Sequence, residues 1–174
     1  MSHYQWDTTF TELYHRCVES YRNGDHNFDG YYSEDDHAFL KSIGYKPREF
    51  FDFIEDYVEY GEPSPTTAVM IANQRRSYLQ YEMHGRLSSK TLLPDDLPPR
   101  DAEMGGIAWL PRIIAKARAK LRGELDPDIM YCCGGDRGFL RSHDIFPADF
   151  LRAVWCAGND DSNILGFVRR NASG

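Results

Sequence analysis

The chain repeats its own pattern after 100 residues, without a gap from residue 10 to residue 54. The clearest stretch aligns "DHAFLKS", residues 36–42, with "DRGFLRS", residues 136–142. Self-similarity at a fixed period indicates one structural unit that is written twice, which limits the folds open to this chain. Identical residues also stand at Arg22 and Arg122, Tyr31 and Tyr131, Pro47 and Pro147, and Phe50 and Phe150.

Apolar residues recur at helical spacing in both copies, and no segment alternates convincingly as a strand would. A proline at residue 47 or 147 suits the first turn of a later helix, because its missing N–H costs nothing there. The sequence therefore predicts an all-α fold with two related helical repeats of about four helices each, packed together. The apolar stripes are Phe10, Leu13, Tyr14, Cys17, Val18 and Tyr21 in the first copy, and Ile107, Leu110, Ile114, Ala117 and Leu121 in the second.

A proline-rich segment separates the two copies. The sequence "SSKTLLPDDLPPRDAEMGG", residues 88–106, holds three prolines and two acidic pairs. Each proline removes a backbone donor and restricts the residue before it, so the segment is typical of an extended linker. We expect a first repeat over residues 1–87, a linker over 88–106 and a second repeat over 107–174.

The composition argues against some partners. The net charge is −7, and no basic tail is present, which disfavours nucleic acid and anionic membrane surfaces. No apolar run approaches the roughly 18 residues of a membrane span. The first residues, "MSHYQWDTTF", lack the apolar core of a signal peptide. We therefore expect a soluble cytoplasmic protein whose four cysteines, Cys17, Cys132, Cys133 and Cys156, are reduced.

The second copy contains the motifs "LPRIIAKARA", residues 110–119, and "YCCGGDRGFL", residues 131–140. With these motifs, roughly residues 97–170 resemble a bacterial family known as domain of unknown function 5069. The first copy resembles a diverged duplicate that keeps the core and Asp36. The resemblance implies a fold but no reaction. It rests on Gly105–Gly106, Arg112, Lys116, Arg118, Gly123, Tyr131–Cys132, Asp136, Arg137, Phe139 and Leu140.

The loop "DHNFDGYYSEDD", residues 25–36, has the ligand spacing of a calcium-binding EF-hand, with Gly30 at its sixth position. Its twelfth position is Asp36, which supplies fewer oxygens than the usual Glu, and the second copy has no such loop. The alternative is a solvated acidic turn, with Asp36 and its counterpart Asp136 capping a helix or pairing with a basic side chain. The candidate metal ligands are Asp25, Asn27, Asp29, Tyr31, Ser33 and Asp36.

Basic side chains recur at steps of four on the predicted helix Ile107–Arg122, at Arg112, Lys116 and Lys120. They form either an anion-binding face or a row that pairs with nearby carboxylates. Cys132 and Cys133 are adjacent, and one hypothesis is a nucleophilic cysteine with His143 as its base. The alternative is a structural role for both cysteines. The candidate ligand-binding residues are Arg112, Lys116, Arg118, Tyr131, Cys132, Asp136 and Arg137.

No nucleophile, base and orienting group stand together at a known spacing. The leading hypothesis is therefore a non-catalytic binding or protein-interaction module, without a cofactor. The alternatives are a small enzyme or anionic-metabolite binder around residues 131–137, and a single calcium-binding loop. Whether the chain is an enzyme stays open at this stage, because a closed cleft that collects those side chains would favour a ligand site.

Overall fold

The chain forms two compact units, Met1–Arg76 and Ser77–Gly174. A computed structural model describes residues 3–172. Helices dominate these residues, which confirms the predicted all-α class. None of the helices within residues 3–172 is both long enough and apolar enough to span a bilayer.

The first unit contains helices α1 (Trp6–Arg22), α2 (Glu34–Ser42) and α3 (Pro47–Tyr60). Helix α4 (Pro65–Tyr81) begins in this unit and continues past its end at Arg76. Helix α1 packs on α3 through its predicted apolar stripe. The residues that α1 buries are Phe10, Leu13, Tyr14, Cys17, Val18 and Tyr21, as predicted.

Aromatic rings fill the space between α1 and α3. The rings of Phe10 and Phe50 meet edge to face with centroids 5.0 Å apart. The hydroxyl of Tyr14 donates to the carbonyls of Phe53 at 3.1 Å and Pro63 at 3.3 Å. Buried tyrosines need such acceptors, so these bonds fix where the chain leaves α3.

The second unit contains strands β1 (Glu103–Met104) and β2 (Ile107–Ala108), followed by helices α5 (Leu110–Arg122), α6 (Gly134–Ser142), α7 (Pro147–Ala157) and α8 (Asp161–Asn171). Helix α5 packs on α7, α7 packs on α8, and β1 lies against α5. Helix α5 buries Leu110, Ile114, Ala117 and Leu121 from the predicted stripe.

Helix α5 begins at Leu110, not at Ile107 as predicted. The residues before it form a small hairpin in which Met104 pairs with Ile107. Gly105 and Gly106 both have positive φ, +60° and +79°, which a two-residue hairpin turn requires and which glycine adopts without strain. The apolar Ile107 therefore belongs to a strand although its spacing fits the helix.

The segment predicted as a linker is bound to the second unit. Ser88 Oγ donates to Glu124 Oε1 at 2.6 Å, and the backbone N–H of Leu92 donates to the Glu124 carbonyl at 2.7 Å. Residues 103–108 form the hairpin. Extended, proline-rich backbone still needs hydrogen-bond partners, and here it finds them along the loop after α5. The two compact units divide inside α4, after Arg76. The bounds 1–87, 88–106 and 107–174 stay a prediction.

Several elements recur at the 100-residue shift. Helix α2 spans residues 34–42 and α6 spans 134–142, while α3 and α7 begin at Pro47 and Pro147. Ser42 Oγ donates to the Phe39 carbonyl at 2.7 Å, and Ser142 Oγ donates to the Phe139 carbonyl at 2.8 Å. These coincidences are what a duplication would leave. That the two units are related repeats stays a prediction.

Replacing Gly44 by Ala should destabilise the first unit by more than about 1 kcal/mol. Gly44 has φ +79°, and an added Cβ would lie 2.7 Å from Cζ of the buried Arg75. Gly30→Ala is the matched control, because Gly30 is exposed and an added Cβ meets nothing within 4 Å. Urea unfolding of both variants decides the point, and equal losses would contradict the strain at Gly44.

Candidate functional site

A single buried carboxylate organises the loop that the sequence singled out. Asp136 lies in the first turn of α6 and is 0% exposed. Its Oδ2 accepts hydrogen bonds from Lys116 Nζ at 2.5 Å and from the backbone N–H of Cys132 at 2.9 Å. Its Oδ1 accepts from Trp109 Nε1 at 3.0 Å. The expectation that Asp136 pairs with a basic side chain is confirmed, and the carboxylate also complements the positive end of α6.

Trp109 enters this cluster through close packing on α6. It has φ +70°, an unusual backbone for an aromatic residue, and this conformation ends the hairpin and turns the ring toward α6. A Cβ on Gly135 would lie only 2.6 Å from the ring atom Cζ2 of Trp109. Glycine at residue 135 is therefore needed for the indole to reach Asp136.

Lys116 sits on α5 with only 3% of its surface exposed. Its ammonium group reaches both Asp136 and the thiol of Cys133, whose Sγ lies 3.2 Å away. A buried charge pair gives up its hydration, and removal of one partner leaves the other uncompensated. The ion pair therefore holds α5 and α6 together as long as both charged side chains are present.

The neighbouring loop residues are also turned inward. Tyr131 is 1% exposed, and its hydroxyl donates to the Pro147 carbonyl at 2.8 Å. Cys132 is 0% exposed, and burial raises the pKa of its thiol to about 12. Arg137 Nη1 donates to the Cys132 carbonyl at 2.8 Å. The hydrogen bonds of Tyr131 and Arg137 stabilise the loop. The thiol of Cys132 stays protonated at neutral pH.

Arg112 and Arg118 form their hydrogen bonds with groups other than Asp136. Arg112 Nη1 donates to the Pro98 carbonyl at 2.7 Å, and its guanidinium lies 5.8 Å from the ring centroid of Trp109. Arg118 Nη2 donates to the Gly158 carbonyl at 2.8 Å and to Asp161 Oδ1 at 2.5 Å. Lys120 is buried, like Lys116. The residues at steps of four on α5 therefore do not form an exposed anion-binding face.

His143 has its own partners. Its Nδ1 lies 2.8 Å from the Phe139 carbonyl, and its ring lies against the Phe139 ring with centroids 4.4 Å apart. The structure describes no hydrogen bond from His143 to Cys132 or Cys133 within residues 3–172. The pairing of a cysteine nucleophile with a histidine base is therefore not formed.

The acidic loop of the first unit uses its oxygens locally. Asp25 Oδ1 accepts from the Asn27 backbone N–H at 3.0 Å, and the Tyr31 hydroxyl donates to the Asp25 carbonyl. Gly30 does not carry the positive φ that an EF-hand turn suggests; Gly24 does, at +88°. Within residues 3–172 no group of three or more His, Cys, Asp and Glu side chains is placed to hold a metal ion.

Asp36, at the twelfth position of the acidic loop, is held by the helix cap with Ser33 and by an ion pair with Arg16. Ser33 is the N-cap of α2, and Asp36 Oδ2 accepts from the Ser33 backbone N–H at 2.8 Å and from Arg16 Nη2 at 2.6 Å. Burial favours a higher pKa for Asp36, but the hydrogen bonds from Arg16 and Ser33 outweigh it and hold the pKa below its ordinary value. A depressed pKa means that Asp36 stabilises the fold above its unfolded pKa and loses that effect as the pH falls through the folded value.

A pocket of about 480 Å³ opens elsewhere in the second unit, between the end of α4, α5 and α7. Of the candidate ligand-binding residues, Arg118 lines it. The pocket combines aromatic rings, guanidinium groups, a carboxylate and a thiol, which is a mixture typical of ligand sites. The polar and aromatic lining includes Tyr78, Glu82, Arg118, Arg122, Trp155 and Cys156.

The aromatic wall of the pocket is fixed by contacts. Trp155 Nε1 donates to Glu82 Oε1 at 2.9 Å, and the rings of Tyr78 and Trp155 meet edge to face with centroids 5.4 Å apart. Arg118, another lining residue, is anchored by the Gly158 carbonyl and by Asp161. Sequence reasoning missed Tyr78, Glu82 and Trp155, because they come from separate elements and no motif spacing joins them.

Comparison with known proteins finds a match for the second half of the chain. The family model described as Domain of unknown function (DUF5069) matches residues 98–173, so the predicted resemblance is confirmed. The match includes α5 to α8 and most of the pocket. It also includes Asp136 with its hydrogen-bond donors Trp109, Lys116 and Cys132, which together are called the Asp136 cluster below. No curated protein and no solved structure matches the chain.

Replacing Asp136 by Ala should lower the free energy of unfolding of the second unit by about 3–5 kcal/mol, because Lys116 loses its counter-charge while buried. Asp36→Ala should cost the first unit only about 0.5–2 kcal/mol, as the loss of a capping carboxylate does. Its partner Arg16 is 56% exposed and remains hydrated. Urea unfolding followed by NMR resonances of each unit separates the two effects.

Asp149→Ala is the control for the second unit. Asp149 is also in the first turn of a helix, α7, but it is exposed, so its loss should cost less than about 1 kcal/mol. An Asp136→Ala variant that loses no more stability than Asp149→Ala would contradict the structural role of the Asp136 cluster.

Proposed function

We propose that the second unit is a non-catalytic binding module that holds a small molecule in the pocket between α4, α5 and α7. The observation that carries the proposal is a pocket of about 480 Å³ whose walls present both guanidinium groups and aromatic rings. Ligand pockets span about 300–1,000 Å³ and combine apolar walls with a few placed polar groups. The pocket between α4, α5 and α7 falls within that size range, and its lining adds the aromatic rings of Tyr78 and Trp155 to a larger share of polar groups.

The fixed geometry of the walls supports binding. Glu82 holds the indole of Trp155, and Arg118 is held by the Gly158 carbonyl and Asp161. A ligand that enters such a pocket loses little free energy in ordering the protein, because these side chains are already placed. The walls therefore favour a defined binding pose over adaptive contacts.

The acid–base and nucleophilic groups that the sequence singled out around residues 131–137 support a non-catalytic role for that loop. A catalytic group must lie within hydrogen-bond reach of the reacting atoms. Asp136, Lys116, Tyr131 and Cys132 are each at most 3% exposed and are engaged inside the fold. In the proposal these side chains maintain the unit, and recognition takes place at the pocket.

The free thiols of all four cysteines support a reducing, cytoplasmic location, which is part of the same proposal. Cys156 is the thiol that lines the pocket and is exposed. A compartment that keeps thiols reduced would preserve this side chain as a neutral, polarisable contact for a ligand.

A fragment screen by NMR tests the proposal on the full chain, because the three tryptophans report on three places. Trp155 lines the pocket, Trp109 donates to Asp136, and Trp6 belongs to the first unit. Binding fragments should shift the Trp155 indole N–H resonance, assigned with Trp155→Phe, because a ligand alters the ring's surroundings. They should leave those of Trp6 and Trp109 in place.

Two results would overturn the proposal. One is a screen in which no fragment shifts the Trp155 resonance. The other is a set of fragments that shift the Trp109 resonance instead, which would move the ligand site to the Asp136 cluster and restore the alternative around residues 131–137.

A further inference from the structure

The charged groups that line the pocket differ in how far they are already neutralised. Arg118 forms an ion pair with Asp161, and one oxygen of Glu82 accepts the indole N–H of Trp155. Arg122 lines the same pocket from the last turn of α5 and has no ion-pair partner among residues 3–172. The cation that remains available to a ligand is therefore the guanidinium of Arg122, while Glu82 keeps its negative charge because an indole N–H is a neutral donor.

A guanidinium stays protonated at any physiological pH and offers a planar fork of donors. That fork matches the two oxygens of a carboxylate or of a phosphate. Arg118 and Arg122 are four residues apart on α5, so both side chains emerge on the same side of the helix. Arg118 is already paired with Asp161, so the acidic group of a ligand would bind Arg122.

The aromatic and apolar lining is suited to a flat ring. The rings of Tyr78 and Trp155 meet at an interplanar angle of 69°, and Leu121 and Val154 also line the pocket. Trp155 is partly exposed, and aromatic pairs favour edge-to-face and offset geometries, so a flat ring of a ligand can pack against its indole. The indole cannot turn freely, because Glu82 holds its N–H.

Resting on the function proposed above, we infer that the ligand class is a planar ring compound that carries one anionic group. The ring stacks on Trp155, and the anionic group receives hydrogen bonds from Arg122. Both features are needed, because an anion alone leaves the aromatic wall unused and a neutral ring leaves the guanidinium unmatched. A carboxylate and a phosphate share this recognition chemistry.

Calorimetric titration of the full chain with three probes tests the class. Naphthoate carries both features, naphthamide keeps the ring without the charge, and acetate keeps the charge without the ring. Naphthoate should bind at least about tenfold more tightly than naphthamide, as a charge-assisted hydrogen bond allows. Acetate should show no saturable heat at the same concentrations.

Substitutions of Arg122 assign the charge preference to one residue. Arg122→Gln should weaken naphthoate binding about tenfold and leave naphthamide binding unchanged. Arg122→Lys keeps the positive charge but not the planar fork of donors, so it should weaken naphthoate binding less than Arg122→Gln does. Arg152→Gln is the matched control, because Arg152 is an exposed arginine of α7 that does not line this pocket, and it should leave naphthoate affinity unchanged. Unshifted Trp109 and Trp6 resonances verify that each variant is folded.

The outcomes separate the ligand class from the existence of the site. Equal affinity for naphthoate and naphthamide, with the Trp155 resonance shifted by both, overturns the anionic class but retains the pocket as a binding site. If neither naphthoate nor naphthamide binds while other fragments still shift the Trp155 resonance, the proposed ligand class is overturned and the pocket is retained as a binding site. Failure of every fragment at Trp155 overturns the proposed function itself.

Discussion

The ion pair between Lys116 and Asp136 is the interaction on which the second unit depends. One carboxylate accepts from the ammonium group of α5, from the backbone before α6, and from the indole that follows the hairpin. Because the pair is shielded from water, each of these donors must stay in place for the others to be stable. The contact therefore fixes helix α5 relative to helix α6 and to the hairpin.

The orientation of α5 in turn shapes the pocket. Each residue of an α-helix turns the chain by about 100°, so Lys116 and Arg118 point in nearly opposite directions. When Lys116 is held inside by Asp136, Arg118 must face the other side, where it meets Gly158 and Asp161. Arg122 lies one turn further on the same face as Arg118. The buried side of the helix thus determines which cations reach the pocket.

The apolar spacing was enough to predict the helical class and the buried stripe of α1, because burial of one helix face depends on local periodicity. The same reasoning predicted a basic partner for Asp136. It did not predict the hairpin, since Ile107 fits the helical stripe as well as a strand. It also left open whether Lys116 and Lys120 face solvent, because charge spacing carries no information about a distant counter-ion. The pocket was missed since Tyr78, Arg122 and Trp155 meet only after folding.

Hydrogen exchange at the tryptophan indoles most directly tests the claim that the hydrogen bonds to the buried Asp136 carboxylate are protected from solvent while the Trp155 pocket is open. Trp109 Nε1 donates to a carboxylate that is 0% exposed, whereas Trp155 Nε1 donates to the exposed Glu82. Exchange at Trp109 should require opening of the unit and be slower than at Trp155 by at least about a thousandfold. Exchange at Trp109 as fast as at Trp155 would show that the cluster opens readily to solvent, and would contradict its assignment as the structural centre of the unit.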